Sequence, residues 1–225
     1  MQVLIIAEDP EERDILSHIF RHAGLRVITQ RDQLQLLNHS FDRSFDLILI
    51  TREETLELST INGIRQVTQA PIILITNPVS ESAHCALLDN GIDMVFQRPI
   101  PLRLLTRYSK LVLRRASGFP ASILDPIESE RIQLNPSNRT VSVYGGEERR
   151  LTQLEFRLLY VLMTNQDQVM TTDELIERVW GYTGDGNRDL VRGLIRRLRK
   201  KIEPEGKPHF IHNLPGVGYR FTTRN

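Results

Sequence analysis

Before residue 118 the chain alternates short apolar runs with longer amphipathic stretches, and this alternation narrows the fold more than any other feature. The runs VLIIA, LRVIT, DLILI, PIILIT and MVF are separated by segments near 10–23, 31–39, 58–69, 80–90 and 101–116 whose apolar residues recur at helical spacing. A strand that is apolar throughout is buried on both faces, as in a parallel sheet, and parallel neighbours need crossover connections. Five such units predict an α/β domain with a doubly wound, five-stranded parallel sheet covered by helices. In sheets of this kind ligands bind beyond the carboxyl ends of the strands. The residues expected there are Glu8 and Asp9 after the first strand, Thr51 ending the third, Thr76 ending the fourth, and Arg98 after the fifth.

The pattern changes after SGFPASILDPI, whose glycine and prolines mark a boundary. The expected division is a first domain over 1–117, a linker over 118–127 and a second domain over 128–225. The second opens with IQLNPSNRTVSVYGGEERRLT, which reads as short antiparallel strands turning at Pro136–Asn138 and at Gly145 with Gly146. Two helices then announce themselves through capping boxes: Thr152 with Glu155, and Thr171 with Glu174. Leu151 and Phe156, and Met170 and Leu175, stand at the flanking hydrophobic-staple positions. Asn187 can cap a third helix.

That third helix, RDLVRGLIRRLRKKI, carries seven basic residues and one acid between Arg188 and Lys201, in a chain whose net charge is only +1. Leu190, Val191, Leu194, Ile195, Leu198 and Ile202 form one apolar stripe, and Arg188, Arg192, Arg196 and Lys200 line the opposite face. One face packs and the other meets phosphates. With the glycine-bracketed close LPGVGYRF, the half reads as a smaller α+β winged helix-turn-helix domain, whose second helix enters the major groove of double-stranded DNA. The competing explanations for the basic face, a solvated helix surface or a lipid-bound one, fare worse: lipid binding wants an exposed apolar face, and here the core needs it.

Other functional classes find little support. The loop AEDPEER offers carboxylates where a flavin or dinucleotide protein needs glycines and backbone N–H groups for a phosphate. The six histidines are scattered, and no Ser/His/Asp or Cys/His set is evident. No enzyme activity, cofactor or metal is expected. A lone cysteine, Cys85, rules out an intrachain disulfide, and no run approaches 18 apolar residues, so a soluble cytoplasmic protein without membrane attachment is expected.

Residues 2–116 resemble the receiver domain of bacterial response regulators, through the acidic pair after the first strand, the DLILI strand, the hydroxyl in PIILIT and the basic residue before proline in GIDMVFQRPI. Residues 132–221 resemble the effector domain of the OmpR/PhoB class of transcription regulators, in LTQLEFRLLYVL, ELIERVWG, LIRRLRKKIE and GVGYRF. The resemblance implies a sequence-specific, DNA-binding transcription regulator of the two-component type. Bases and phosphates would be read by Arg188, Arg192, Arg196, Arg197 and Lys200, with Arg220 as a further DNA contact and Trp180 either touching a phosphate through its indole N–H or packed as an aromatic under the loop. The Gly181–Asn187 loop would face RNA polymerase, and the receiver would form a homodimer. In such a dimer the cations Arg103, Arg107, Lys110, Arg114 and Arg115 would meet Glu81, Asp89 and Asp93.

Two positions depart from the family pattern. Thr51 stands where the family has its phosphoacceptor aspartate, and Arg98 where it has a lysine. A threonine hydroxyl cannot form an acyl phosphate, and its presence removes an anionic Mg²⁺ ligand, so Glu8 and Asp9 are not expected to hold the ion. A histidine kinase is therefore not expected to phosphorylate this receiver. Arg98 is expected to fork onto Glu8 or Asp9, the alternative being an arginine pointing into solvent. Pro215 in the wing, lacking a donor where many relatives have arginine, implies weak minor-groove reading. A rival reading keeps the architecture and makes the chain a non-catalytic interaction protein whose receiver binds a kinase or another regulator.

Overall fold

In the computed structural model, residues 1–32, 45–117, 127–129, 131–182, 188–207 and 209–223 are described, and they form two compact units, Met1–Ala116 and Ser117–Asn225. The first unit holds β1 (Gln2–Ala7), α1 (Pro10–His22), β2 (Arg26–Gln30), β3 (Leu47–Thr51), α2 (Leu58–Val67), β4 (Ile72–Thr76), α3 (Glu81–Asn90), β5 (Met94–Gln97) and α4 (Leu102–Ser117). Its strands run parallel in the order β2-β1-β3-β4-β5. Val3–Ala7, Leu47–Thr51 and Ile72–Thr76 are buried along their whole length, as strands covered on both faces must be. The doubly wound sheet expected from the βα alternation is present. The helix expected near 31–39 falls mostly outside the described residues.

Local chemistry sets where these helices begin and end. Asp9 caps α1 by accepting the Glu11 N–H at 3.0 Å, with Pro10 at the first helical position. Ser80 caps α3 in the same way through the Ala83 N–H. Gly91 ends α3 at φ +133°, and a Cβ there would stand 2.8 Å from Cγ of Arg65. That arginine, in the last turn of α2, donates to the carbonyls of Ala70 (2.6 Å) and Gly91 (2.6 and 2.9 Å) and pairs with the buried Asp93. Asp93 is therefore held inside its own unit, and its expected part in a dimer contact is corrected.

The second unit contains β6 (Ile127–Glu128), β7 (Ile132–Asn135), β8 (Thr140–Val143), β9 (Arg149–Arg150), α5 (Gln153–Thr164), β10 (Val169–Thr171), α6 (Thr172–Val179), α7 (Arg188–Ile202), β11 (Ile211–Leu214) and β12 (Gly218–Phe221). A four-stranded antiparallel sheet, β6-β7-β8-β9, precedes the helices, and a three-stranded one, β10-β12-β11, closes the unit. Ile127, counted with the linker in the sequence, opens β6, and 118–126 lie outside the described residues. Both capping boxes form, each with the threonine hydroxyl taking the glutamate N–H and the glutamate carboxylate taking the threonine N–H. Leu151, Phe156, Met170 and Leu175 are buried beside them. Asn187 is outside the described residues.

One strand, β10, has no counterpart in the sequence pattern. It pairs with β12 so closely that a Cβ on Gly218 would come within 2.0 Å of the Met170 carbonyl oxygen, so the first glycine of GYRF is a packing requirement. The core around it includes Trp180, Phe210 and Phe221, with Phe210 and Phe221 stacked at 5.8 Å. Among the described residues no helix is long and apolar enough to cross a membrane.

Candidate functional site

The carboxyl ends of β1, β3 and β5 deliver an ion-pair network. Arg98, just past β5, donates through Nη2 to both oxygens of Glu12 (2.7 and 2.8 Å) and to the Thr51 hydroxyl, and through Nη1 to the Arg52 carbonyl (2.8 Å). Thr51 is almost wholly buried and donates its own hydroxyl to Glu12 Oε2 at 2.7 Å. Arg52 pairs with Glu8 at 2.6 Å, and Arg13 donates to the Ala7 carbonyl at 3.2 Å. Thr76 is fully buried, and its hydroxyl has no hydrogen-bond partner among the described residues.

This arrangement corrects the expected fork. Arg98 meets neither Glu8 nor Asp9; its carboxylate is Glu12, two residues into α1. Because Asp9 turns to cap the helix, the first turn of α1 swings Glu12 over the end of β3. The asparto-proline at 9–10 is the signal that could have shown it, since it marks an N-cap and places the next acids on the first turn. Glu53 and Glu54 are exposed, as expected of a solvated loop.

The family's Mg²⁺ does not fit these residues. The ion wants several oxygen ligands, anionic ones among them, in tight octahedral geometry. Here Glu8 is bound by a guanidinium, Asp9 caps a helix, and position 51 offers a neutral hydroxyl already bonded to Glu12. Among the described residues no group of three or more His, Cys, Asp or Glu side chains could hold a metal ion.

The second cluster lies on α7. Its apolar residues Leu190, Val191, Leu194, Ile195, Leu198 and Ile202 are all buried, and Arg188, Arg192, Arg196 and Lys200 are all exposed at four-residue intervals. Arg192 reaches Asp189 at 3.2 Å, yet two-thirds of its side chain stays accessible. The remaining cations are engaged inward. Arg199 donates to the Ile211 carbonyl at 2.7 Å, and Lys201 donates to Glu155 (2.7 Å) and to the Arg150 carbonyl (2.9 Å).

Two expected DNA contacts are corrected here. Arg197 is buried at 7% exposure, since one residue past Arg196 turns a further 100° or so around the helix, toward the core. Trp180 ends α6 with no accessible surface and packs in the interior. Beyond α7, β11 and β12 form a hairpin whose tip, Pro215, Gly216 (φ +75°) and Val217, is exposed, with Arg220 exposed on β12. A residue unnoticed in the sequence, Glu203, seats that hairpin: its carboxylate accepts the backbone N–H groups of Phe210 (3.0 Å) and Ile211 (2.9 Å). Of the Gly181–Asn187 loop, only Gly181 and Tyr182 are described.

A doubly wound unit with a receiver's strand order, joined in one chain to a winged-helix unit with an exposed basic helix, defines a response-regulator transcription factor of the OmpR/PhoB type. The comparisons agree with it. Residues 146–221 match the family described as "Transcriptional regulatory protein, C terminal". An uncharacterized transcriptional regulatory protein of Bacillus subtilis, YclJ, is 32% identical over 98% of this chain and 99% of its own length. The response regulator ArlR of Staphylococcus aureus is 30% identical over 97% and 98%. The chain belongs to this response-regulator family. The fold is also that of a single-substitution mutant of RitR, with a TM-score of 0.80 at 20% identity over 98% of both chains.

Proposed function

We infer that this regulator binds its operator without being phosphorylated. What carries the reading is the Thr51 hydroxyl, buried and hydrogen-bonded to Glu12 while Arg98 holds the same carboxylate. An acyl phosphate needs a carboxylate nucleophile and a cation to offset developing charge. At position 51 the pocket offers a neutral hydroxyl instead, and its guanidinium groups are already paired with Glu8 and Glu12. No histidine kinase input is required, and no catalysis is assigned to the chain.

On DNA, Arg192 and Arg196 read base edges from the middle of α7, and Arg188, Lys200 and Arg220 hold phosphates. The wing tip adds little minor-groove readout, because Pro215 and Val217 offer no side-chain donor. Two copies pair through their receiver units, the loop at 181–187 meets RNA polymerase, and the protein works in the cytoplasm. The division into a receiver over 1–117 and a DNA-binding domain over 128–225 belongs to the same reading.

The test is selection of genomic fragments by the purified full chain at physiological salt, with and without acetyl phosphate and Mg²⁺, followed by sequencing. One enriched motif, equally strong in both conditions, is the expected result. Enrichment that appears only with the donor would overturn phosphorylation independence. Failure to enrich in either condition would leave the rival interaction-protein reading standing.

A further inference from the structure

Helix α4 carries Arg103, Arg107, Lys110 and Arg114 on one face and no acid anywhere along its length. All four are exposed, and none makes a hydrogen bond or ion pair with another described residue. They line a groove of 690 Å³ whose other wall includes Ile19 of α1, with Leu111 of α4 as a second apolar surface. That volume lies in the range of roughly 300–1,000 Å³ usual for small-molecule sites. From Arg103 to Arg114 the helix rises about 16 Å, so the groove is long and shallow.

We propose that this groove binds an anionic amphiphile: a molecule with a medium-length alkyl chain and a carboxylate or phosphate head. The tail lies along Ile19 and Leu111, where apolar surface leaves water. The head meets guanidinium groups suited to forked, charge-assisted bonds with either anion. A neutral ligand would waste the cations, and a simple inorganic anion would leave the apolar wall wet. Such a ligand would give the receiver unit an input that needs no phosphoryl group; that role, unlike the binding itself, rests on the function proposed above.

Calorimetric titration of the full chain, kept below the micelle threshold, tests the site with dodecanoate, dodecyl phosphate, dodecanol and inorganic phosphate. Dodecanoate and dodecyl phosphate are expected to bind one per chain, and dodecanol and inorganic phosphate at least tenfold more weakly. Arg107→Ser with Lys110→Ser should weaken both acids at least tenfold. The Arg192→Ala/Arg196→Ala variant should bind them as the parent does, because the apolar stripe of α7 is buried on the opposite face and leaves those cations no apolar wall for a tail. Equal binding of dodecanol, undiminished binding by the α4 variant, or no binding at all would overturn the proposal. Capture only on vesicles of phosphatidylglycerol with phosphatidylcholine would assign the groove to a membrane surface. A dimer that takes no probe, and that the α4 variant breaks, would assign it to a second copy; either result overturns the small-molecule site. The input role has its own readout. Dodecanoate should shift operator affinity in the parent and not in the α4 variant, and an unchanged affinity in the parent would sink that role while leaving the binding and the phosphorylation reading intact.

Discussion

The receiver pocket and the outer face of α7 are both built from arginines, and they use them in opposite ways. In the pocket every guanidinium is turned inward: Arg98 onto Glu12, Thr51 and a carbonyl, Arg52 onto Glu8, Arg13 onto the end of β1. On α7 the four outward cations are exposed, and Arg192, beside Asp189, keeps two-thirds of its side chain accessible. A cation count therefore says little about a partner. What matters is which charges the fold leaves exposed, since a partly buried arginine matched by carboxylate and carbonyl has few donors left for anything else.

The sharpest break of this comparison would come at Trp180. As a fully buried aromatic, its replacement in Trp180→Ala should cost about 3–5 kcal/mol of unfolding free energy in the DNA-binding unit, read by urea titration. Weakened operator binding with stability and the salt slope both intact would instead make it a phosphate contact through its neutral indole N–H. Next in size, Arg192→Ala and Arg196→Ala should each weaken operator binding by about 1–3 kcal/mol without moving the unfolding midpoint. Arg197→Ala should do the reverse, lowering stability and leaving the salt slope alone. Fluorescence anisotropy at several salt concentrations separates the two patterns.

The pocket network should respond more modestly. Arg98 and Glu12 are each about a quarter exposed, so a double-mutant cycle with Arg98→Ala and Glu12→Ala should give a coupling of about 1 kcal/mol, and the matching cycle with Glu8→Ala close to zero. Coupling to Glu8 and none to Glu12 would restore the fork expected from sequence. Of the same size is the cap of α6: Thr171→Ala should cost about 1 kcal/mol at neutral pH. The Thr171 backbone N–H, then its hydroxyl, holds the Glu174 carboxyl below the usual carboxylate range. Because the folded value is the depressed one, this stabilisation is present at neutral pH and is lost as pH falls through it. The gap between parent and variant should therefore narrow in acid, where the bond from the Glu174 N–H to the Thr171 hydroxyl still separates them, and a gap unchanged from neutral to low pH would show that the hydroxyl does not hold the carboxylate.

Much of this was legible in the chain because it is local. Alternating apolar runs fixed five parallel strands, capping boxes fixed where α5 and α6 begin, and the stripe from Leu190 to Ile202 fixed which side of α7 packs. Each depends on residues within a turn or two of one another. β10 escaped notice because three residues, Val169–Thr171, carry no period of their own; they become a strand by meeting β12. Glu12 escaped because its partners lie 39 and 86 residues away.

By itself the sequence determined the two folds, the replacement of the acceptor carboxylate by Thr51, and a helix with one basic face, since residue identity and short-range spacing decide all three. Only tertiary structure decided that Arg98 answers to Glu12, that Arg197 is interior, and that Arg199 and Lys201 serve the domain rather than DNA. Those outcomes depend on which side chains the packed elements bring within about 3 Å, and hydrogen bonds and desolvation act only at that range.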